Sequence, residues 1–319
     1  MGQISQDTGR DGWPEQTAVR IAWCYYGLGM TQQEIAAQLG LNRVRVNRLL
    51  AEARRRGIVR ITITSKLAEN VELEERLKER FALESAEVVL SLTDDEIELA
   101  EVLGAAACQP LARYFGDGMT IGVGWGVTLK AFAEAMPETP LRDVAVVSML
   151  GTLTRRSSID TFEATTTLSG RLHAECFYLP GPIVCDSEDS RDILVRQPML
   201  QDVLNRGQRA DIAVISVGGL DSGTIRRMRF VDESEFRDVR AAGAIGNFLG
   251  YYIDDDAAII DHPVNRRVIG QNPQDLDKIP RRFMISGGRT KVRALGAILR
   301  RGLLTGIVTD QKTARALLE

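Results

Sequence analysis

Beyond residue 85 the chain repeats one unit: a short β-branched run closing on glycine or a hydroxyl, then a segment with helical spacing. The runs are "MTIGVGWG" before residues 127–136, "VAVVSMLGT" before a segment starting near Asp160, "IAVISVGG" at 212–219, "RFMISGG" before "RTKVRALGAILRRG", and "LLTGIVTD" before "QKTARALLE". Alternating strands and helices bury both faces of a sheet when the strands run parallel and the helices cross back over them. The expected fold class is therefore α/β, with a large Rossmann-like parallel-sheet domain over residues 85–319. Such sheets bind ligands beyond the carboxyl ends of their strands.

Four of those ends carry small or hydroxylated residues: Gly124, Gly126 and Thr128; Gly151 and Thr152; Gly218 and Gly219; Gly287 and Gly288, with Lys291 close behind. Glycine lets a backbone N–H approach a ligand closely, and a helix N-terminus adds free N–H groups with positive partial charge. Tight βα turns use glycine for conformational reasons too, so each loop alone has two readings. Four loops on one sheet edge point to a phosphorylated small molecule. Serine-hydrolase, zinc-protease and P-loop motifs are missing, and "GVGWG" lacks the third glycine of a dinucleotide fingerprint. His262, beside Pro263, reads as a loop hydrogen-bonder, and the acidic run "YYIDDDAAIID" as a solvated loop. Action of Asp310 or Lys291 on a bound sugar phosphate stays open. Cys24, Cys108, Cys176 and Cys185, with His173 and His262 as the only histidines, have no zinc-ligand spacing. Neither metal nor cofactor is expected.

The charge is unevenly placed. Residues 1–64 hold nine Arg and no Lys against five acids, while the rest holds 31 basic and 38 acidic residues. The window 42–60 alone has seven Arg and one Glu, a polyanion-binding signature confined to one module. Within this module a first helix is expected over about Glu15–Tyr26, where Val19, Trp23 and Tyr26 recur at helical spacing and Gly27 and Gly29 stop it. Thr31 and Glu34 form a capping box that starts a second helix, and Gly40 stops it. Asn42 caps a third helix whose Val46, Leu49, Leu50 and Ala53 make an apolar stripe. That stripe leaves Val44, Arg48 and Arg55 on the opposite face, with Arg45 and Asn47 beside them. Two helices around a short glycine turn have the geometry of a helix-turn-helix.

The residue types suit base reading: Arg forks to guanine, Asn pairs with adenine, and a small apolar side chain meets the thymine methyl. The expected DNA-binding set is Thr31, Gln32, Asn42, Arg43, Val44, Arg45, Asn47, Arg48, Arg55 and Arg56, with the later arginines neutralising phosphates. The alternating "IVRITIT" suggests a wing. Residues 1–15 read as a disordered tail, 16–65 as the helix-turn-helix domain, 66–84 as a linker helix carrying Leu73, Leu77 and Phe81, and 85–319 as the effector domain. That helix reads equally well as the first helix of the next domain. The polar start and the shortness of the apolar runs predict a cytoplasmic protein with no membrane partner.

Taken together, the segments resemble the SorC family of bacterial sugar-responsive transcriptional regulators. The likeness rests on "MTQQEIAAQLGLNRVRVNRLLAEARRRGIVRI", "GVGWGVTL", "GAIGNFLGYYID" and "ISGGRTKVRALGAILRRGLLTGIVTDQKTARALL", and runs from about residue 16 to the end. It implies a large domain similar to the sugar-phosphate isomerase and glucosamine-6-phosphate deaminase fold, serving as an effector sensor. It puts phosphate contacts on Gly126, Thr128, Gly151, Thr152 and Lys291, and sugar contacts near Gly219, Asn247 and Asp254. Two positions depart from the family's pattern: Val127 stands where a polar residue is common, and Asn247 where Asp is frequent. A narrower likeness is to regulators of erythritol and other polyol catabolism. The partners implied are operator DNA, a phosphorylated sugar or polyol, and further copies of the chain as a dimer or tetramer. The rival reading is an isomerase- or deaminase-like enzyme with an accessory DNA module. Two weaker alternatives are an architectural DNA protein and a redox sensor using Cys176 and Cys185.

Overall fold

The computed structural model describes residues 15–59, 68–90, 93–152, 161–227 and 230–319. The chain divides into two compact units, residues 1–65 and 66–319. Residues 1–14 of the expected tail and, from Arg60 on, the expected wing strand lie outside the described residues; Glu15 begins a helix, and Ile58 and Val59 form a bend.

In the first unit, α1 (Glu15–Ala22) runs into a π turn at Trp23–Gly27, followed by α2 (Gln32–Leu39) and α3 (Arg43–Arg55). Ile21, Cys24, Ile35, Ala36, Val46, Leu49 and Leu50 form one core. The stripe on α3 is buried as its spacing predicts, but that on α1 is not. Val19, Trp23 and Tyr26 are exposed, and the buried face is Ala18, Ile21, Ala22 and Cys24. Ile21 anchors that buried face among small side chains, and the larger apolar residues are turned outward.

The second unit opens with α4 (Ala68–Phe81), β1 (Ser85–Val89), α5 (Glu96–Ala112), β2 (Thr120–Val123), α6 (Val127–Ala135) and β3 (Ala145–Thr152). It continues through α7 (Thr161–Leu172), β4 (Glu175–Pro182), α8 (Glu188–Val195), α9 (Pro198–Gln208), β5 (Ile212–Ile215), β6 (Val217–Gly219), α10 (Thr224–Arg227) and α11 (Glu233–Ala241). The last elements are β7 (Gly246–Phe248), β8 (Tyr251–Ile253), α12 (Pro263–Arg266), β9 (Arg281–Ile285), α13 (Val292–Arg300), β10 (Gly306–Asp310) and α14 (Gln311–Leu318). Seven strands form a parallel sheet in the order β1-β10-β9-β5-β2-β3-β4. Alternation along each strand divides the interior: Ile212 and Val214 pack with α5, α6 and α7, while Ala213 and Ile215 join the core containing α4 and α13. Leu73, Leu77 and Phe81 of α4 sit in that second core. The segment read as a linker is thus the first helix of the large unit, packed on β1 and α14.

The run "IAVISVGG" is two strands. β5 belongs to the parallel sheet, whereas β6 pairs with β7, and β7 with β8, in a small antiparallel sheet that the alternation of strand and helix did not suggest. The β7–β8 hairpin turns on Leu249 and Gly250, at φ 49° and 90°, the left-handed pair of a tight hairpin turn. Buried Asn265 accepts from Tyr252 N at 2.8 Å and donates to the carbonyls of Tyr252 and Ile260 at 3.0 and 2.9 Å, fixing the hairpin.

The carboxylate of Asp310, 3 % exposed, accepts from Thr313 N at 2.9 Å, from Thr313 Oγ1 at 2.6 Å and from Gly288 N at 3.2 Å. It closes the sheet edge by tying two strand ends together. Asp310→Ala leaves buried donors unmatched and should cost about 3 kcal/mol; urea denaturation checks this, and a loss below about 1 kcal/mol refutes the assignment.

Candidate functional site

The reading face of the first unit is built by caps and glycine. Thr31 Oγ1 accepts from Glu34 N at 3.3 Å, and Glu34 Oε2 accepts from Thr31 N at 2.7 Å. The Thr31 backbone bond, then the hydroxyl, holds the Glu34 carboxyl below the usual carboxylate range. Gly40 takes φ 62° to turn the chain, and Asn42 Oδ1 accepts from Arg45 N at 2.8 Å to start α3. Thr31 and Asn42 therefore shape the motif through their side chains, in the capping roles read from the sequence. Gln32 Nε2 donates to Asn47 Oδ1 at 3.4 Å across the motif. Arg43, Val44, Arg45, Asn47, Arg48, Arg55 and Arg56 are all exposed, with Val44 80 % so. Arg56 lies 3.8 Å from Glu52, one turn back.

In the second unit the parallel sheet reverses its direction of growth between β2 and β5, since β3 and β4 build outward on one side and β9 and β10 on the other. Connections that leave in opposite directions open a crevice at the strand ends. There lies a cavity open to solvent, lined by Trp125–Thr128 after β2, Ser216–Gly218 after β5, and Glu96, Ser222, Asn247 and Lys291. Gly126 adopts φ 115° and enters α6 with no side-chain cap, leaving the helix N-terminus to the cavity. Lys291 ends a short 3-10 turn and sits at the N-cap of α13. Asn247 faces Gly218 across the small sheet. It is 7 % exposed, and its Nδ2 is buried without a hydrogen-bond partner. A buried amide donor left unpaired on a cavity wall is costly unless something else accepts from it.

Of the expected effector residues, Gly126, Thr128, Gly218, Asn247 and Lys291 line this cavity. Gly219 borders it, pressed against Ser222 and Thr290. The others have packing or turn roles. A Cβ on Gly124 would lie 3.1 Å from Leu129 Cδ1, and one on Gly151 2.6 Å from the Gly181 carbonyl. Thr152 Oγ1 donates to that same carbonyl at 3.3 Å. Gly287 makes room for the Asp310 carboxylate, which a Cβ would approach to 2.2 Å. Asp254 accepts from the backbone of Asp256 and Ala258, closing a turn. Among the groups considered for chemistry, His262 Nδ1 accepts from Val264 N at 3.2 Å and caps α12. Burial pushes the Cys108 and Cys185 thiols up, away from the reactive thiolate. Glu96, which sequence reasoning passed over, lines the cavity from the first turn of α5.

A helix-turn-helix reader and a polar-lined cavity at a switch point, carried on separate units of one chain, define a ligand-responsive DNA-binding regulator. The comparisons agree. The family described as "Putative sugar-binding domain" matches residues 65–319, and a Crp-like helix-turn-helix domain matches residues 16–80. The erythritol catabolism regulatory protein EryD of Brucella abortus is 29 % identical over 307 residues, covering 95 % of this chain and 96 % of that one. The transcriptional regulator LsrR of Klebsiella pneumoniae is 30 % identical over 311 residues, covering 95 % and 93 %. The crystal structure of the full-length sorbitol operon regulator SorC from Klebsiella pneumoniae superposes with a TM-score of 0.75 at 25 % identity, over 95 % of this chain and 99 % of that one. The chain belongs to the SorC family of sugar-binding transcriptional regulators. It is a DNA-binding regulator with a sugar-binding domain, and among the described residues no helix is long and apolar enough to cross a membrane.

Proposed function

We propose that this chain controls a carbohydrate or polyol catabolic operon, and that a phosphorylated sugar or polyol in the second unit sets its operator affinity. The observation that carries the reading is the cavity between β2 and β5, where the uncapped N-terminus of α6, Lys291 and the unpartnered Asn247 amide share one wall system. Free N–H groups at a positive dipole end and an ammonium suit a phosphate, and a buried amide donor suits an oxygen of the sugar. The erythritol and sorbitol regulators among its relatives support a polyol as the class of effector. Binding without turnover fits the engagement of Asp310 and His262 in capping. A homo-oligomer, dimer or tetramer, supplies two reading heads for a palindromic operator.

On the DNA side, Arg48 projects from the exposed face of α3 for base reading, while Arg55 and Arg56 lie a turn or two later, suited to phosphates. Arg48→Ala should cost about 1–3 kcal/mol and relax base preference, whereas Arg56→Ala should weaken all sequences alike and reduce the salt slope by about 1. Gel shifts over operator variants and salt concentrations check this; identical behaviour of the two mutants contradicts it.

On the effector side, a ligand that binds only the folded state raises the melting temperature by mass action. A screen of sugar and polyol phosphates should give such a shift without product formation. Lys291→Ala should weaken the best hit by roughly 10- to 100-fold, the worth of a charge-assisted hydrogen bond. A full shift in the mutant refutes the phosphate site.

A further inference from the structure

The polar wall of the effector cavity holds one group that a phosphate would avoid. Glu96 lines the cavity from the first turn of α5. Its neighbours already serve the helix start: Asp95 Oδ1 caps it, accepting from Ile97 N at 2.9 Å and Glu98 N at 2.8 Å, while Glu98 accepts from Thr93 Oγ1 at 2.5 Å. The cap does not need the Glu96 carboxylate. Instead Glu96 Oε1 accepts the hydroxyl proton of Thr290, and Thr290 Oγ1 lies 2.7 Å from Ser222 Oγ. A carboxylate only accepts, so the single proton of Thr290 goes to Glu96 and that of Ser222 goes to Thr290. The result is a directed chain, Ser222 to Thr290 to Glu96, joining three separate segments of the fold at the cavity. Gly219 is glycine because this chain passes over it: a Cβ there would lie 2.7 Å from Ser222 Oγ and 2.9 Å from Thr290 Oγ1.

We infer that Glu96, positioned by Thr290 and Ser222, reads the hydroxyl groups of the effector and makes the cavity selective for a phosphorylated compound with a polyhydroxylated chain. The chemistry of the wall argues this. Glu96 offers a charged acceptor and Asn247 Nδ2 a buried, unpaired donor. A phosphate oxygen can satisfy only Asn247 and is repelled by Glu96; an ammonium can satisfy only Glu96. A hydroxyl donates to one and accepts from the other, and the Thr290 hydroxyl already seated on Glu96 is the protein's own example of that contact. Sites built to hydrogen-bond a hydroxyl strongly reject analogues without it.

The inference rests on the proposed phosphate cradle, and the test separates the two. Calorimetry on the full chain compares inorganic phosphate with erythritol 4-phosphate, ribitol 5-phosphate and ribose 5-phosphate. Glu96→Gln should weaken the tightest of the three organic phosphates at least 10-fold and leave inorganic phosphate within twofold. Thr290→Val keeps the charge and removes the hydroxyl that orients it, and should show the same discrimination at 3- to 10-fold. Lys291→Ala should weaken all of them. Unliganded melting temperatures near wild type identify folded variants. If either folded variant weakens inorganic and organic phosphate equally, or weakens neither, the hydroxyl-reading role is overturned. If the wild type binds none of the four, the phosphate cradle itself is overturned, and the hydroxyl-reading role with it.

Discussion

The parallel ladder of the second unit reverses its direction of growth between β2 and β5, and the binding chemistry depends on that reversal. Two neighbouring strands whose connections leave on opposite sides cannot cover their own ends, so a gap opens where the α6 N-terminus and the Ser216–Gly218 segment leading into β6 face each other. The polar groups gathered there are not conformational accidents of one loop. Glu96, Ser222, Asn247 and Lys291 reach it from four separate segments of the fold.

What turns a cavity into a sensor is differential affinity. A ligand shifts the protein between two arrangements only by the difference in its binding free energy for them, and if the ligand changes operator affinity by some factor, the operator changes ligand affinity by the same factor. A carboxylate that accepts a protein hydroxyl while waiting for a ligand hydroxyl supplies such a difference locally. Its bond to Thr290 is available to be exchanged or reinforced when the effector enters.

Much of this was legible in the sequence because it is local. Thr31 and Glu34, Gly40, Asn42 and the Val46–Leu49–Leu50–Ala53 stripe lie within one short stretch and constrain one another, and the repeated strand-to-helix alternation implied the parallel sheet. The first helix misled because its packing face is Ala18, Ala22 and Cys24 around Ile21, small residues that carry little hydropathic signal. Glycine was a good pointer to the strand ends and a poor guide to which of them line the cavity. Gly151 yields to the Gly181 carbonyl and Gly287 to the Asp310 carboxylate, and a sequence gives no means of telling those demands from a ligand's. Glu96 was invisible because acids in a first helical turn are common for electrostatic reasons alone; only the geometry directs this one into the cavity.

The central claim is that occupancy of the β2–β5 cavity changes operator affinity. The direct measurement is an anisotropy titration of labelled operator, recovered by in vitro selection, with the full chain in the presence and absence of a saturating phosphorylated polyol. The account predicts a change in operator dissociation constant of about 5- to 150-fold. An operator affinity that stays the same while calorimetry shows the cavity filled contradicts it.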